Sequence, residues 1–183
     1  MTDSNYRLSA TRYYADFVTV PLAILAACIF GNQLASEAFV SSVMAGVLTW
    51  SLAEYWIHRS LFHGVEPFKA EHRVHHIRPP DYIGASPWLT AAVIAVGGPV
   101  AFASLGSTVG AGFFAGILTG YFAYIFVHDR FHHARGLGPV LAWLHARHEY
   151  HHRRERVNFG VTSPLWDLAF GTYARPHALE RRR

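Results

Sequence analysis

Polar and apolar positions along this chain are sorted into long blocks. Apolar stretches run from Phe17 to Phe30, Ala38 to Ile57, Trp88 to Leu105 and Val109 to Val127, with polar segments before, between and after them. A bilayer core takes about 20 helical residues at roughly 1.5 Å each, so these blocks predict membrane helices. The first stretch is short for a span, and it is expected to be extended by its neighbours, tilted or partly interfacial; Tyr13 and Tyr14 before it suit a membrane interface. Gly31-Asn32-Gln33 predicts a turn. Gly97-Gly98-Pro99 predicts a kink, because proline cannot donate to the helix ladder. Gly112, Gly116 and Gly120 recur every fourth residue, the pattern of closely packed helices. Leu25-Ala26-Ala27-Cys28 resembles a lipoprotein cleavage box, but cleavage there would remove the first helix, so the stretch is read as a span.

Charge adds an orientation. The net charge is +4, and charged residues make up only 15% of the chain against 51% hydrophobic. All sixteen lysines and arginines lie in the N-terminal tail, in residues 58–87 or in residues 128–183; the loops after the first and third stretches have none. This positive-inside pattern puts both termini and every histidine on the cytoplasmic side of two helical hairpins. It disfavours nucleic acid as a partner, because the basic residues are spread over all the cytoplasmic segments, and the closing Arg181-Arg182-Arg183 is read as a tail near lipid headgroups.

Histidine supplies the candidate chemistry. His148, His151 and His152 stand at i, i+3 and i+4, as do His72, His75 and His76, and the looser pairs His58/His63 and His128/His132 complete a set of ten. On a helix, i, i+3 and i+4 share a face, so each triplet is expected to converge on one point. The single cysteine, Cys28, leaves no thiolate site. Ten imidazoles exceed what one ion takes and argue for two ions with about five histidines each. Metal-bound imidazoles need acceptors on their other nitrogen, and the candidates are Glu54, Asp129, Glu149, Asn158 and Asp167. His133, His145 and His177 are read as ordinary surface or core residues, although the adjacency of His132 and His133 leaves the ligand of the third motif open.

The expected architecture is all-α and integral to the membrane, with four transmembrane helices in two hairpins and a cytoplasmic helical cap carrying the dimetal site. Residues 1–183 form one domain: a polar tail (1–12), four membrane helices (13–127) with a cytoplasmic insert (58–87), the cap (128–173) and a basic tail (174–183).

The motifs His58 to His63, His72 to His76, His128 to His132 and His148 to His152 occur in this order after Glu54-Tyr55-Trp56. With the tail Asn158-Phe159-Gly160 through Pro164-Leu165-Trp166-Asp167 to Phe170-Gly171-Thr172-Tyr173, they resemble the integral-membrane fatty acid hydroxylase and sterol desaturase superfamily. The resemblance spans about Arg12 to Tyr173 and is strongest to the fatty acid hydroxylase branch. It implies a non-haem di-iron oxygenase that takes O₂ and two electrons and hydroxylates a lipid acyl chain, with carbon 2 of a free or amide-linked fatty acid as one candidate position. It also implies that the ten histidines are ligands, with zinc able to occupy the same site. No His-Pro-Gly-Gly haem loop is present, so the electron donor is expected to be separate: cytochrome b5-like, a ferredoxin or a reductase.

Sterol-type desaturation or methyl oxidation and carotenoid hydroxylation are alternatives on the same scaffold. A metal transporter is a more distant one, since it should carry ionisable ligands near the bilayer midplane and the four apolar stretches contain no histidine. A di-haem cytochrome and a non-catalytic metal-bound scaffold are the remaining rivals.

Overall fold

The computed structural model describes residues 6–31 and 36–176. Asn32 and Gln33 of the expected turn, His177 and the closing arginines lie outside the described residues. The described residues are helical with irregular connections and contain no strand. The chain forms two compact units, Met1–Ser51 with Asp81–Phe126 and Leu52–Pro80 with Val127–Arg183.

In the first unit, α1 (Ala10–Tyr13) and α2 (Asp16–Gly31) together make a candidate span of 22 residues. The short first stretch is therefore lengthened backwards over Tyr13 and Tyr14. α5 (Pro87–Leu105) and α6 (Ser107–His133) are likewise long and apolar enough to cross a membrane. α3 (Glu37–Trp56) has 20 residues but is not among these three, because Ser41, Ser42, Thr49, Ser51 and Glu54 dilute its apolar run. α5 continues through Pro99 without ending. The glycines before it make room for an aromatic ring, since a Cβ on Gly97 or Gly98 would stand 3.1 or 3.2 Å from Phe114.

The small-residue stripe of α6 lies against α3. A Cβ on Gly112 would meet Ser42 and the Phe39 carbonyl, one on Gly116 the Val43 carbonyl and Gly46, and one on Gly120 the Trp50 indole. Around Val20, Ala27, Phe114, Ala115 and Leu118 the core is apolar. The buried Asp16 carboxylate accepts from Thr90 Oγ1 at 2.6 Å and Tyr121 OH at 2.7 Å. Val18, Leu22, Leu25 and Ile29 of α2 and Val96 and Val100 of α5 are each more than half exposed. Apolar faces of this extent suit lipid rather than water.

The second unit takes the last turn of α3, a π-helical turn (Ile57–Phe62), α4 (Phe68–Ile77), the end of α6, α7 (Pro139–Arg153) and α8 (Leu165–Ala169). α7 buries Leu144, Arg147, His148 and His151, a run of one helical face. The irregular chain after α7 is fixed by buried polar side chains. Asp167 accepts from Phe159 N (2.8 Å), Gly160 N (3.0 Å), Thr172 Oγ1 (2.8 Å) and Arg147 Nη2 (2.8 Å). Asn158 sits at φ 55, a left-handed conformation that asparagine tolerates, and exchanges two 2.9 Å hydrogen bonds with the backbone of Ala174.

Candidate metal centre

Ten histidines of the second unit gather into two adjoining groups. His58, His63, His72, His76 and His151 form one; His75, His132, His148 and His152 form the core of the other. His128 joins the second, its Nε2 lying 3.1 Å from His75 Nε2. The groups touch where the His76 and His152 rings stack at 4.2 Å and 12°.

Each triplet therefore divides, where convergence on one point was expected. α4 gives His72 and His76 to the first group and His75 to the second; α7 gives His151 to the first and His148 and His152 to the second. Helix geometry accounts for this. Residues i and i+4 are only about 40° apart around the axis, whereas i+3 and i+4 diverge by about 100°, enough to aim at separate points.

The spacing of His58 and His63 is explained by the π turn between them. An α-helix carries residues five apart to different faces, but i→i+5 hydrogen bonding stacks them, and π turns are frequent at functional sites. The adjacent histidines of the third motif have different neighbours. His132 Nε2 is 3.1 Å from His148 Nε2, while His133 pairs with Asp129 at 3.0 Å and places its Nε2 3.1 Å from the Pro80 carbonyl.

The inward atoms are all Nε2. In the first group, His72 Nε2 lies 3.0 Å from both His58 and His76, and His63 lies 3.1 Å from His151. In the second, His148 Nε2 lies 2.9 Å from His152. Two nitrogens held at right angles by one ion at about 2.1 Å are about 3.0 Å apart, so these separations match the edge of a coordination shell. Tautomers agree. His58 Nδ1 donates to the Phe159 carbonyl at 2.6 Å and His151 Nδ1 to the Val157 carbonyl at 2.8 Å, which leaves each Nε2 with a bare lone pair turned inward. The donor set fits a pair of first-row transition ions.

Burial also keeps the rings neutral. It pushes His58, His72, His75, His148 and His151 well below the ordinary histidine range, and the neighbouring imidazoles add to the shift. His63 is lowered to about 4 and His152 to about 3, again chiefly by burial. Neutral imidazole is the form that binds metal.

The polar residues expected behind the imidazoles take varied positions. Glu54 accepts from Val161 N (2.7 Å), Thr162 N (3.0 Å) and Thr162 Oγ1 (2.7 Å). Asp167 and Asn158 bind the same irregular chain, whose Val157 and Phe159 carbonyls face His151 and His58, so these three side chains support the rings through backbone. Asp129 contacts His133 and Arg130. Glu149 is half-exposed and 3.9 Å from Arg153, whereas Arg147, next to it but one in sequence, is buried on Asp167 between Trp143 and Tyr173. Beside the second group a cavity of about 250 Å³ is lined by Phe131, His132, His145, Glu149, His152 and Arg153.

Sequence reasoning missed Glu155. Its two carboxylate oxygens lie 3.8 Å from His63 Nδ1 and 3.8 Å from His76 Nδ1. A carboxylate three residues beyond His152 was the available signal.

The family model for fatty acid hydroxylase matches residues 43–172, and the chain is a member of that family. It is 33% identical over 143 residues to a dihydroceramide fatty acyl 2-hydroxylase of Arabidopsis thaliana, covering 73% of this chain and 60% of the relative. It is 34% identical over 154 residues to the fatty acid 2-hydroxylase of Homo sapiens, covering 76% and 41%. A solved structure of full-length Scs7p, in which only the hydroxylase domain is visible, superposes with a TM-score of 0.71 at 32% identity, covering 94% of this chain and 69% of that one. The chain spans 60% or less of the length of these two curated relatives. With its spanning helices and this kinship, it is an integral membrane protein.

Proposed function

We propose that the chain hydroxylates a C–H bond of a lipid acyl chain, with carbon 2 of a free or amide-linked fatty acid as the position attacked. The observation that carries this is the pair of five-histidine groups with every Nε2 turned inward, in a member of the fatty acid hydroxylase family. The overall change is RH + O₂ + 2e⁻ + 2H⁺ → ROH + H₂O. Two iron ions, when bound, supply O₂ activation and the insertion of one oxygen atom.

The chain's own part is to bind, orient and exclude water. His58, His63, His72, His76 and His151 would hold one ion, and His75, His128, His132, His148 and His152 the other. The Phe159 and Val157 carbonyls keep the protons of His58 and His151 on Nδ1, which reserves their Nε2 atoms for metal. Burial of the rings limits water at the site. Zinc fits the same nitrogen donors and would replace iron without redox chemistry.

The distribution of arginine supports a cytoplasmic site and cytoplasmic termini, with α3 as a fourth span. Electrons would come from a donor of the cytochrome b5, ferredoxin or reductase kind.

The test combines two measurements on the same expression strain. Protein purified in detergent is expected to carry about two metal equivalents per chain with no haem band. Cells expressing it should gain acyl lipids one oxygen heavier, mapped to carbon 2 by fragmentation. Two equivalents of iron without any hydroxylated lipid, in cells supplied with a working donor, would sink the acyl-chain reading.

A further inference from the structure

α4 carries two stripes side by side. His72 and His76 turn into the first histidine group, while Lys69, Arg73 and Ile77, also four residues apart, stay exposed. Lys69 N donates to the Val65 carbonyl at 2.9 Å, so the exposed stripe starts one turn earlier, at Val65. Residues three apart lie about 60° from each other around a helix, so one helix wall separates the exposed stripe from the imidazoles.

Two openings lead from this surface towards the histidines. Lys69 and Arg73 line a cavity that reaches His63, His72 and His76, and His63 keeps 15% of its side chain exposed there. Arg153 and Glu149 line the cavity of about 250 Å³ that reaches His132 and His152. The two approaches end against each other, because His76 of the first stacks on His152 of the second.

The charge on this surface is mixed but mainly positive. Lys69, Arg73, Arg153, Arg154 and Arg156 are exposed, and the exposed carboxylates among them are Glu66, Glu149 and Glu155. Glu66 accepts from Ala70 N at 3.2 Å, and Glu149 stands 3.9 Å from Arg153. Val65 and Ile77, 48% and 65% exposed, add apolar area at the two ends of the α4 stripe. Apolar patches beside charged residues are the make-up of a protein contact, and a mainly cationic cleft speeds encounter with an anionic partner.

We propose that Val65, Lys69, Arg73 and Ile77, with the segment Arg153–Arg156, form the docking face for the electron donor, and that this donor is a carrier protein with an acidic surface. The proposal rests on the hydroxylase reading and names the partner of that same site. Each encounter oxidises the carrier by one electron, so two encounters supply the two electrons of the overall change, and its two protons come from water. An anionic lipid surface is the competing occupant. It would be repelled by Glu66, Glu149 and Glu155 on the same face, whereas a carrier with fixed charges can match both signs.

The test titrates the full chain, purified in nonionic detergent, with three carriers and reads binding by calorimetry. Soluble cytochrome b5 and a plant-type ferredoxin are the acidic probes, and cytochrome c is the basic control. At least one acidic probe should bind at about 0.01 M ionic strength and be released by about 0.15 M, as the screening length falls from about 30 to about 8 Å. Cytochrome c should not bind. K69E/R73E should weaken the acidic probe by about tenfold, the scale of two exposed ion pairs lost, and K69Q/R73Q by less. R135E/R175E, which reverses exposed cations that line neither cavity, should leave it unmoved. Melting temperature and bound metal per chain should be the same in all these variants.

No binding of either acidic probe, binding indifferent to salt, or an equal loss in R135E/R175E overturns the docking face. So does loss of copurifying anionic lipid in K69E/R73E with probe binding unmoved, which would assign the face to headgroups. Hydroxylated lipid in expressing cells with any of these results removes the docking face and leaves the acyl-chain reading standing. A docking face with every expected property, on a chain that holds metal and hydroxylates nothing, removes the acyl-chain reading instead.

Discussion

In the unit of Met1–Ser51 and Asp81–Phe126, helices meet through carbon and bare backbone. Gly112, Gly116 and Gly120 of α6 bring it against Phe39, Val43, Gly46 and Trp50 of α3, and Asp16, Thr90 and Tyr121 satisfy one another. In the unit of Leu52–Pro80 and Val127–Arg183, helices meet through nitrogen and oxygen: ten imidazoles face one another, and Glu54, Asn158 and Asp167 tie down the irregular chain beside them. The first unit is specified by shape and should be insensitive to proton concentration but intolerant of an added side chain. The second is specified by hydrogen-bond direction and protonation state, and should respond the other way.

The largest expected effect separates the units by pH. The imidazoles of the second unit have folded-state pKa values lowered by burial, so below the ordinary value near 6.5 the unfolded chain binds protons that the folded chain refuses. Their contribution is fully present above about 6.5 and is lost as pH falls towards the folded values, about 4 for His63 and about 3 for His152. Each such ring costs about 1.4 kcal/mol per pH unit, and several together approach the whole stability of a domain, about 5–15 kcal/mol. Metal-free protein in detergent should keep a constant melting temperature above about pH 7 and lose its cooperative transition by about pH 5. An unchanged melting temperature at about pH 5 would show that the rings are not held neutral by the fold.

Next comes Asp167→Ala, which leaves the buried Arg147 guanidinium without its carboxylate and releases Phe159 and Gly160. Removing one partner of a buried ion pair costs about 3–5 kcal/mol. Because the Phe159 carbonyl faces His58, metal content should fall along with stability. Elemental analysis and a thermal melt of the same sample check both; a variant with full metal content and native stability would refute the role given to this aspartate.

The smallest is Gly116→Leu, which sets a side chain against the Val43 carbonyl and Gly46. Overpacking of this kind costs about 1–3 kcal/mol. The comparison is sharpened if the variant melts earlier at neutral pH yet binds the same number of metal equivalents. It is broken if metal binding is lost while the melt is unchanged.

Much of this was legible in the sequence because helical periodicity is local. His72 with His76, His128 with His132 and His148 with His152 are i, i+4 pairs, and each pair does stay within one group. What was not legible depended on direction or on chain returning from a distance. His75 and His151 are turned to the opposite group from their own triplet partners by a rotation of about 100°, which spacing alone does not assign to a target. The π turn cannot be read from Ile57–Phe62 by hydrophobic pattern. Spacing does not show that Arg147 is buried, because its partner Asp167 lies twenty residues on. Asp16 falls at the edge of a polar tail in sequence, and only the packing of α2, α5 and α6 buries it.

The π turn at Ile57–Phe62 also makes the centre a gauge of chain length. An α-helix accommodates the loss of one residue by turning everything beyond it through about 100°, and a π turn is the one place in a helix where such a loss restores regular winding. Deleting a single residue between His58 and His63 would leave the local helix more regular than before, with the two rings four apart on one face. The altered phase would then be passed to His63 and the connection into α4, where His72, His75 and His76 must still meet their partners. Local helical regularity and the register of the centre are thus opposed at this turn, and the irregular winding is what keeps the histidines in phase.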